Sequence, residues 1–216
     1  MNIHSVPETM PSTTTRVLDA ALAVFTERTY GGAAVPQVAA RAGVGVGTIY
    51  RSFAGKEELV NAVYRRAKQA MLDRLVAALA SVGPDASPQA RVGAVWAGLA
   101  AYARSDPDGF AFLEHQQHAA YLDEASLALG RRIDGLAEDL VRDGPRGGDL
   151  REGDPATLVA LVFGAFVGLT KQRRSIGRPL TDSDVAAAGD AVWHLVANQT
   201  TTTTTSTTST SSKGRP

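Results

Sequence analysis

The chain has 216 residues, 44% of them hydrophobic and 20% charged, and no cysteine. That suits a globular protein of one or two domains with a sizeable core, and it excludes a disulfide framework or a thiolate metal site. Net charge is zero, yet residues 16–74 hold nine basic against five acidic side chains, a net of +4, so the remainder carries −4: a basic head on an acidic body, as in a DNA-binder with a separate second function.

Residues 1–11 contain Pro7 and Pro11 and no periodicity, and disorder is expected there. No charged segment leads into an apolar run, so no signal peptide is read. The longest apolar run, residues 158–169, is too short to span a bilayer. A cytoplasmic protein with no membrane partner is the expectation. From Ser12 a first helix begins, capped by Ser12 or Thr13. Its stripe is Val17, Leu18, Ala21, Leu22 and Phe25, and Tyr30-Gly31-Gly32 ends it.

The next stretch, VPQVAARAGVGVGTIYRSFAGKEEL (residues 35–59), holds two short helical patterns meeting at Ala42-Gly43-Val44. The first carries Val35, Val38, Ala39 and Ala42 on one face. Gly43 is the residue able to take positive φ and stop a helix, and Val44 can tuck under the turn. The second pattern points Ile49 and Phe53 inward at i, i+4. Val46, Gly47, Thr48, Tyr50, Arg51 and Ser52 are left to face outward, a surface suited to a DNA groove. Two helices joined by a short glycine turn make a helix-turn-helix, here over residues 34–53.

At these residues the chain resembles the TetR family of transcriptional regulators. The match is AARAGVGVGTIYRSFAGKEEL: the Ala-x-x-Ala-Gly-Val turn, Gly-Thr-Ile-Tyr-x-x-Phe, then Gly-Lys-Glu-Glu-Leu. The likeness covers residues 13–65. It implies that Lys56 contacts a DNA phosphate just outside the helix it opens. A cation there is disfavoured by the helix dipole, so its placement asks for a role. Tyr50 either stacks on sugar or sits at the rim of the core. Thr48 and Ser52 bond phosphate or base, or are surface hydroxyls. Arg51 reads guanine, reaches phosphate, or pairs with Glu57 or Glu58. Gly47 costs about 1 kcal/mol of helix stability relative to Ala, which close approach to DNA would explain. Two positions depart from the family: Ala33-Ala34-Val35 lacks the usual hydroxyl cap, partly offset by Pro36, and Gly45 replaces a usual Ser.

A fourth, longer helix opens at Lys56 and runs to about Ser81. Pro84 and Pro88 mark the boundary to a second domain. Ser87-Pro88, Asp106-Pro107 and Asp154-Pro155 are cap-and-start signals for a fifth helix to about Arg104, a sixth, and an eighth to about Ser175. A seventh is predicted over residues 121–142, a loop over 144–148, and a ninth helix over 182–197. The fold class is therefore all-α with about nine helices. A three-helix head (12–55) joins through helix 56–81 to a C-terminal helical bundle (84–198). Thirteen consecutive Thr or Ser residues from Thr200 onward predict a disordered tail over 199–216.

The eighth helix places Ala160, Gly164 and Gly168 in one row, flanked by Val167. TetR-like proteins dimerise through their last two long helices, so these residues, with Trp193 and Val196, are the interface candidates; intrachain core is the alternative. The resemblance also implies a ligand cavity in the body. Trp96, Tyr102, Phe110, Phe112, His115, His118, Tyr121 and Phe166 are its candidate lining, with hydrophobic core as the alternative. His115, His118 and Glu114 offer no third metal ligand, and no Glu-x-x-His pair, His-Glu-x-x-His or P-loop is present. No cofactor or metal is read, and a metalloenzyme is the remote alternative. The implied function is a homodimeric repressor that binds a palindromic DNA operator and is released by a small apolar or amphipathic ligand; an activator or a ligand-independent regulator is the alternative.

Overall fold

The computed structural model describes residues 11–115, 118–143 and 149–198. They form nine α-helices: α1 Thr13–Gly32, α2 Val35–Ala42, α3 Val46–Ser52, α4 Lys56–Val82, α5 Pro88–Ser105, α6 Pro107–His115, α7 Glu124–Asp143, α8 Pro155–Ser175 and α9 Asp182–Val196. A 3-10 turn spans His118–Ala120. Among the described residues the only β pairing is one bridge, Leu150 to Ala197. The all-α class holds. The expectations for residues 1–10, 144–148 and 199–216, and for the His115 side chain, fall outside the described residues.

Helix starts follow the cap chemistry. The Ser12 hydroxyl accepts from the Thr15 amide at 3.1 Å, that of Ser87 from Ala90 at 3.2 Å, and the Asp154 carboxylate from Thr157 at 3.0 Å. Thr181 and Asp184 cap reciprocally at the start of α9. The seventh helix begins at Glu124, not near 121. Its cap is Asp123, which accepts from the Ser126 amide at 2.8 Å. Hydrogen bonds from Ser126, and then from Arg65, hold that carboxyl down at about 2.

The first helix ends at Gly32, within the predicted glycine stop, but it is not continuous. Thr29, a β-branched residue, sits at φ 58°, ψ 171° and kinks the chain before Tyr30. Such a conformation costs on the order of 1–3 kcal/mol and persists only where its surroundings over-determine it. Here the Tyr30 ring lies 4.3 Å from that of Tyr121 and 6.4 Å from that of Phe25. The Tyr30 and Ala33 carbonyls both accept from Lys56 Nζ, at 2.9 and 3.2 Å.

Two main cores result. The head core gathers α1, α2, α3 and the start of α4 around Phe25, Ile49, Leu59 and Val63, and is closed by Phe112 of α6 and by Tyr121. The body core gathers Met71, Leu72 and Leu75 of α4 with Trp96, Tyr102, Phe110, Ile133 and Phe166. A small third cluster, Leu150, Leu158 and Val196, joins α8 to α9. Helix α4 is common to the two main cores. It packs so closely on α5 that a Cβ on Gly98 would lie 3.1 Å from the Arg74 carbonyl and 3.2 Å from Leu75 Cα.

Buried polar groups tie α4 to the segment after α6. Asn61 is buried; its amide donates to the Glu57 and Tyr121 carbonyls at 2.9 and 2.8 Å and its oxygen accepts from the Asp123 amide at 2.9 Å. His118 Nε2 lies 2.9 Å from the Phe112 carbonyl. A carbonyl can only accept, so Nε2 carries the hydrogen. Nδ1 is then the acceptor for the Tyr121 hydroxyl at 2.7 Å. Both bonds are thus made by the neutral ring. Burial pushes the His118 value down, a direction that Lys68 reinforces and the Phe112 bond opposes. Because the folded value lies below the unfolded one, His118 contributes stability above about pH 6.5 that is lost as pH falls toward and through the folded value. Urea unfolding at a series of pH values should show wild-type stability dropping between pH 7 and 5 more steeply than that of His118→Gln, which has no proton to gain.

Candidate nucleic-acid interface

The interface is built on one turn. Gly43 takes the left-handed conformation, φ 65° and ψ 40°. Its amide donates to the Ala40 carbonyl at 3.3 Å, and the Val44 amide donates to Ala39 at 3.0 Å. This crossed pair is a Schellman closure of α2, with half-buried Val44 packed on the head core beneath it. Arg16 completes the turn from α1: its guanidinium donates to the Ala42 carbonyl at 2.6 Å and reaches that of Gly43 at 3.4 Å. Sequence reasoning missed Arg16; a long-range cap leaves no local pattern.

At the other end of α2 no hydroxyl caps Ala34. Gln37 reaches back instead and accepts from the Ala34 amide at 3.1 Å. That is the side-chain half of a capping box, and a Gln three residues past the start was its available signal. Pro36 lies in the first turn as expected.

Helix α3 is pinned by Ile49, 1% exposed, and by buried Phe53 just after its end. Gly45 precedes it, with no side-chain cap. The remaining residues form an accessible ridge. Val46 is 36% and Tyr50 52% exposed, so Tyr50 is not a rim-of-core residue. Gly47, Arg51 and Ser52 are exposed and Thr48 is half-buried. Nothing lies within 4 Å of a Cβ built on Gly47, so the fold itself does not demand glycine there. Arg51 donates to the Thr48 hydroxyl at 3.2 Å. Of its two predicted acidic partners, Glu58 turns to the Ala54 amide at 2.5 Å, helping to open α4.

Lys56 is the residue whose setting differs most from expectation. Besides the two carbonyl bonds it makes across to α1, its ammonium lies 4.3 Å from the Tyr30 ring centroid. An ammonium has three N–H donors, and two are committed to the subunit. The charge itself is half-buried at the head of α4, four residues beyond the end of α3.

The other candidate residues separate into groups. Trp96, Tyr102, Phe110, Phe112, His118, Tyr121 and Phe166 are all buried in the two cores. Trp96 also borders a groove against α9, and Phe110 another at the end of α8. None of them lines the largely apolar cavity of about 410 Å³ between α4, α5, α7 and α8. Among the described residues no three His, Asp or Glu side chains gather as metal ligands. On α8 and α9, Val196 is buried, Trp193 and Val167 are half-buried, and Ala160, Gly164 and Gly168 are exposed; Ala160 also borders the cavity. All 21 residues of α8 form a helix long and apolar enough by composition to cross a membrane, and only 11% of its most apolar window is buried in the subunit. The predicted apolar run over residues 158–169 lies inside it.

Two family models match the chain: "Bacterial regulatory proteins, tetR family" over residues 17–63 and "Tetracyclin repressor-like, C-terminal domain" over residues 70–197. Similar solved structures include a TetR-family regulatory protein from Rhodococcus RHA1, 16% identical with a TM-score of 0.75 over 88% of this chain and 100% of that one. A TetR-family transcription regulator from Marinobacter aquaeolei VT8 is 19% identical, with a TM-score of 0.73 over 87% and 96%. The TetR-family regulator PfmR from Thermus thermophilus is 21% identical, with a TM-score of 0.70 over 85% and 97%. No curated protein matches the chain.

The turn geometry makes a direct prediction. Gly43→Ala forces a Cβ into the left-handed region and should cost about 1–2 kcal/mol of stability. Arg16→Met strips the cap from the Ala42 carbonyl and should cost about 1–3 kcal/mol. Urea unfolding measures both.

Proposed function

Because the chain belongs to the TetR family of bacterial transcription regulators, DNA-binding proteins rather than enzymes, we propose that it is a homodimeric repressor released from a palindromic operator by a small molecule. The observation that carries the reading is the α3 ridge. Ile49 and Phe53 hold the helix from below, while Val46, Gly47, Tyr50, Arg51 and Ser52 stay open and Thr48 is half-open. Thr48, Tyr50, Arg51 and Ser52 supply donors for base edges and phosphates. Gly47 lets the DNA backbone approach. Lys56 adds its remaining N–H and its charge to a phosphate at the start of α4, while its other two N–H groups keep that helix end seated on α1.

Dimerisation is supported by α8 and α9. Gly164 and Gly168 each cost helix stability, about 1 kcal/mol relative to Ala, and a Cβ on either would meet nothing within 4 Å in the subunit. Their small size serves nothing inside the chain but would allow a second helix to approach. Leu161 and Leu195, 45% and 38% exposed, would be buried by the same contact. Leu158 and Phe166 anchor the other side of α8 in the subunit, as a partner-facing helix requires. A dimer places two α3 ridges for successive major-groove faces about 34–36 Å apart. The cavity beside α4 is where a ligand would act, by favouring one setting of the two heads over another.

Selection from a random duplex pool, followed by a salt titration, tests the reading. A palindrome should be recovered, with affinity falling steeply with salt; a site without two-fold symmetry would overturn the dimeric reading. Lys56→Gln should lower affinity for every sequence and flatten the log-log salt slope by about 2, one phosphate per subunit. Arg51→Ala should change the preference at one base position if it reads a base. Gly164→Leu should stay folded, sediment as a monomer and lose at least tenfold in operator affinity. Circular dichroism, analytical ultracentrifugation and gel shift follow the three readouts.

A further inference from the structure

The cavity between α4, α5, α7 and α8 is walled mainly by hydrocarbon, including Met71, Leu75, Leu99, Ile133, Val159 and Phe163. Its volume of about 410 Å³ lies within the range of small-molecule sites, roughly 300–1,000 Å³. One feature of the wall is out of keeping with the rest. Lys68 of α4 lines the cavity and is half-buried, yet among the described residues it makes no hydrogen bond and no ion pair. Its ammonium lies 5.8 Å from the centroid of the Tyr64 ring. Burial pushes the ammonium down from the ordinary lysine value, against the longer-range pull of Asp134 and Glu114.

Two carboxylates also reach the wall, but neither lacks company. Asp134 is exposed to water, and Glu138 lies 3.6 Å from Arg142. The ammonium is the charge short of a partner, and the space beside it is apolar. A carboxylate brought against it would supply the missing acceptor in a poorly solvated setting, where a charge-assisted bond is strong. A cationic amphiphile would set a second positive charge beside the first. A dianion would bring a second negative charge toward Asp134 with no cation to meet it.

We propose that this cavity takes an amphipathic monocarboxylic acid, with its carboxylate on Lys68 and its apolar body against α5, α7 and α8. The proposal rests on the ligand-responsive reading above and names the chemical class of that ligand. Lys68 lies on the same helix as Lys56, three turns along, so the acid would engage the element that carries the DNA-binding head.

The test uses the full chain and three probes of equal tail length: decanoate, 1-decanol and decyltrimethylammonium. Titration calorimetry should show decanoate binding at least tenfold more tightly than either other probe. Lys68→Met, matched in length and apolar, should bring decanoate down to the level of decanol and leave decanol unchanged or tighter. Lys68→Arg should keep the preference for the acid, and it remains informative if the Met variant does not fold. Equal binding of all three probes, a preference for the ammonium, or unchanged decanoate affinity in Lys68→Met would overturn the proposal, as would the absence of binding by any probe. Gel shifts with selected operator DNA separate the two ideas. Lys68-dependent decanoate binding that leaves DNA bound keeps the acid site and sinks the ligand-released repressor. DNA release by decanol as readily as by decanoate does the reverse.

Discussion

The head depends on one half-buried charge contact. Lys56 is the first residue of α4, where the helix dipole disfavours a cation. It is held there by the Tyr30 and Ala33 carbonyls and by the Tyr30 ring. Tyr30 lies just after the kink of α1, and Ala33 lies just before α2. One ammonium therefore fixes the exit of the first helix, the entry of the second and the start of the fourth. The unfavourable Thr29 backbone is held by the same contacts. Arg16 does for the end of α2 what Lys56 does for its beginning. With both ends of α2 fixed and a Schellman turn beyond it, α3 has little freedom in where it projects.

The body is attached to this head by packing rather than by a flexible joint. Phe112 of α6 and Tyr121 fill the head core, while Phe110, two residues earlier, fills the body core. Asn61 and His118 satisfy the backbone around that crossing. A buried amide with three good partners and a histidine with both nitrogens engaged give the crossing a definite geometry. The sequence-level division at residue 84 follows the loop before α5, but the hydrophobic contacts run across it through α6.

Local chemistry was what the sequence made legible. Ser12, Ser87 and Asp154, the last two each followed by a proline, place helix starts, because a cap and its first turn lie within three residues of one another. Gly43 and Val44 announce the turn for the same reason. What depends on residues far apart was not readable: Arg16 on Ala42, Lys56 on Tyr30, Asn61 on Tyr121. The seventh helix starts at Glu124 rather than near Tyr121 because the Asp123 carboxylate caps it by accepting from the Ser126 amide. The described aromatic residues offered as cavity lining, with core as the alternative, are buried in the two cores, because large rings fill space; the cavity beside α4 is walled mostly by aliphatic side chains.

Helix α4 spans 27 residues without interruption, about 40 Å at 1.5 Å per residue. It is a stiff lever arm. A tilt of only about 5° at its far end would swing the near end by about 3.5 Å, close to the rise of one base pair. Under the proposed release mechanism, so small a tilt would take a head out of step with the groove, and letting go would require no large internal rearrangement.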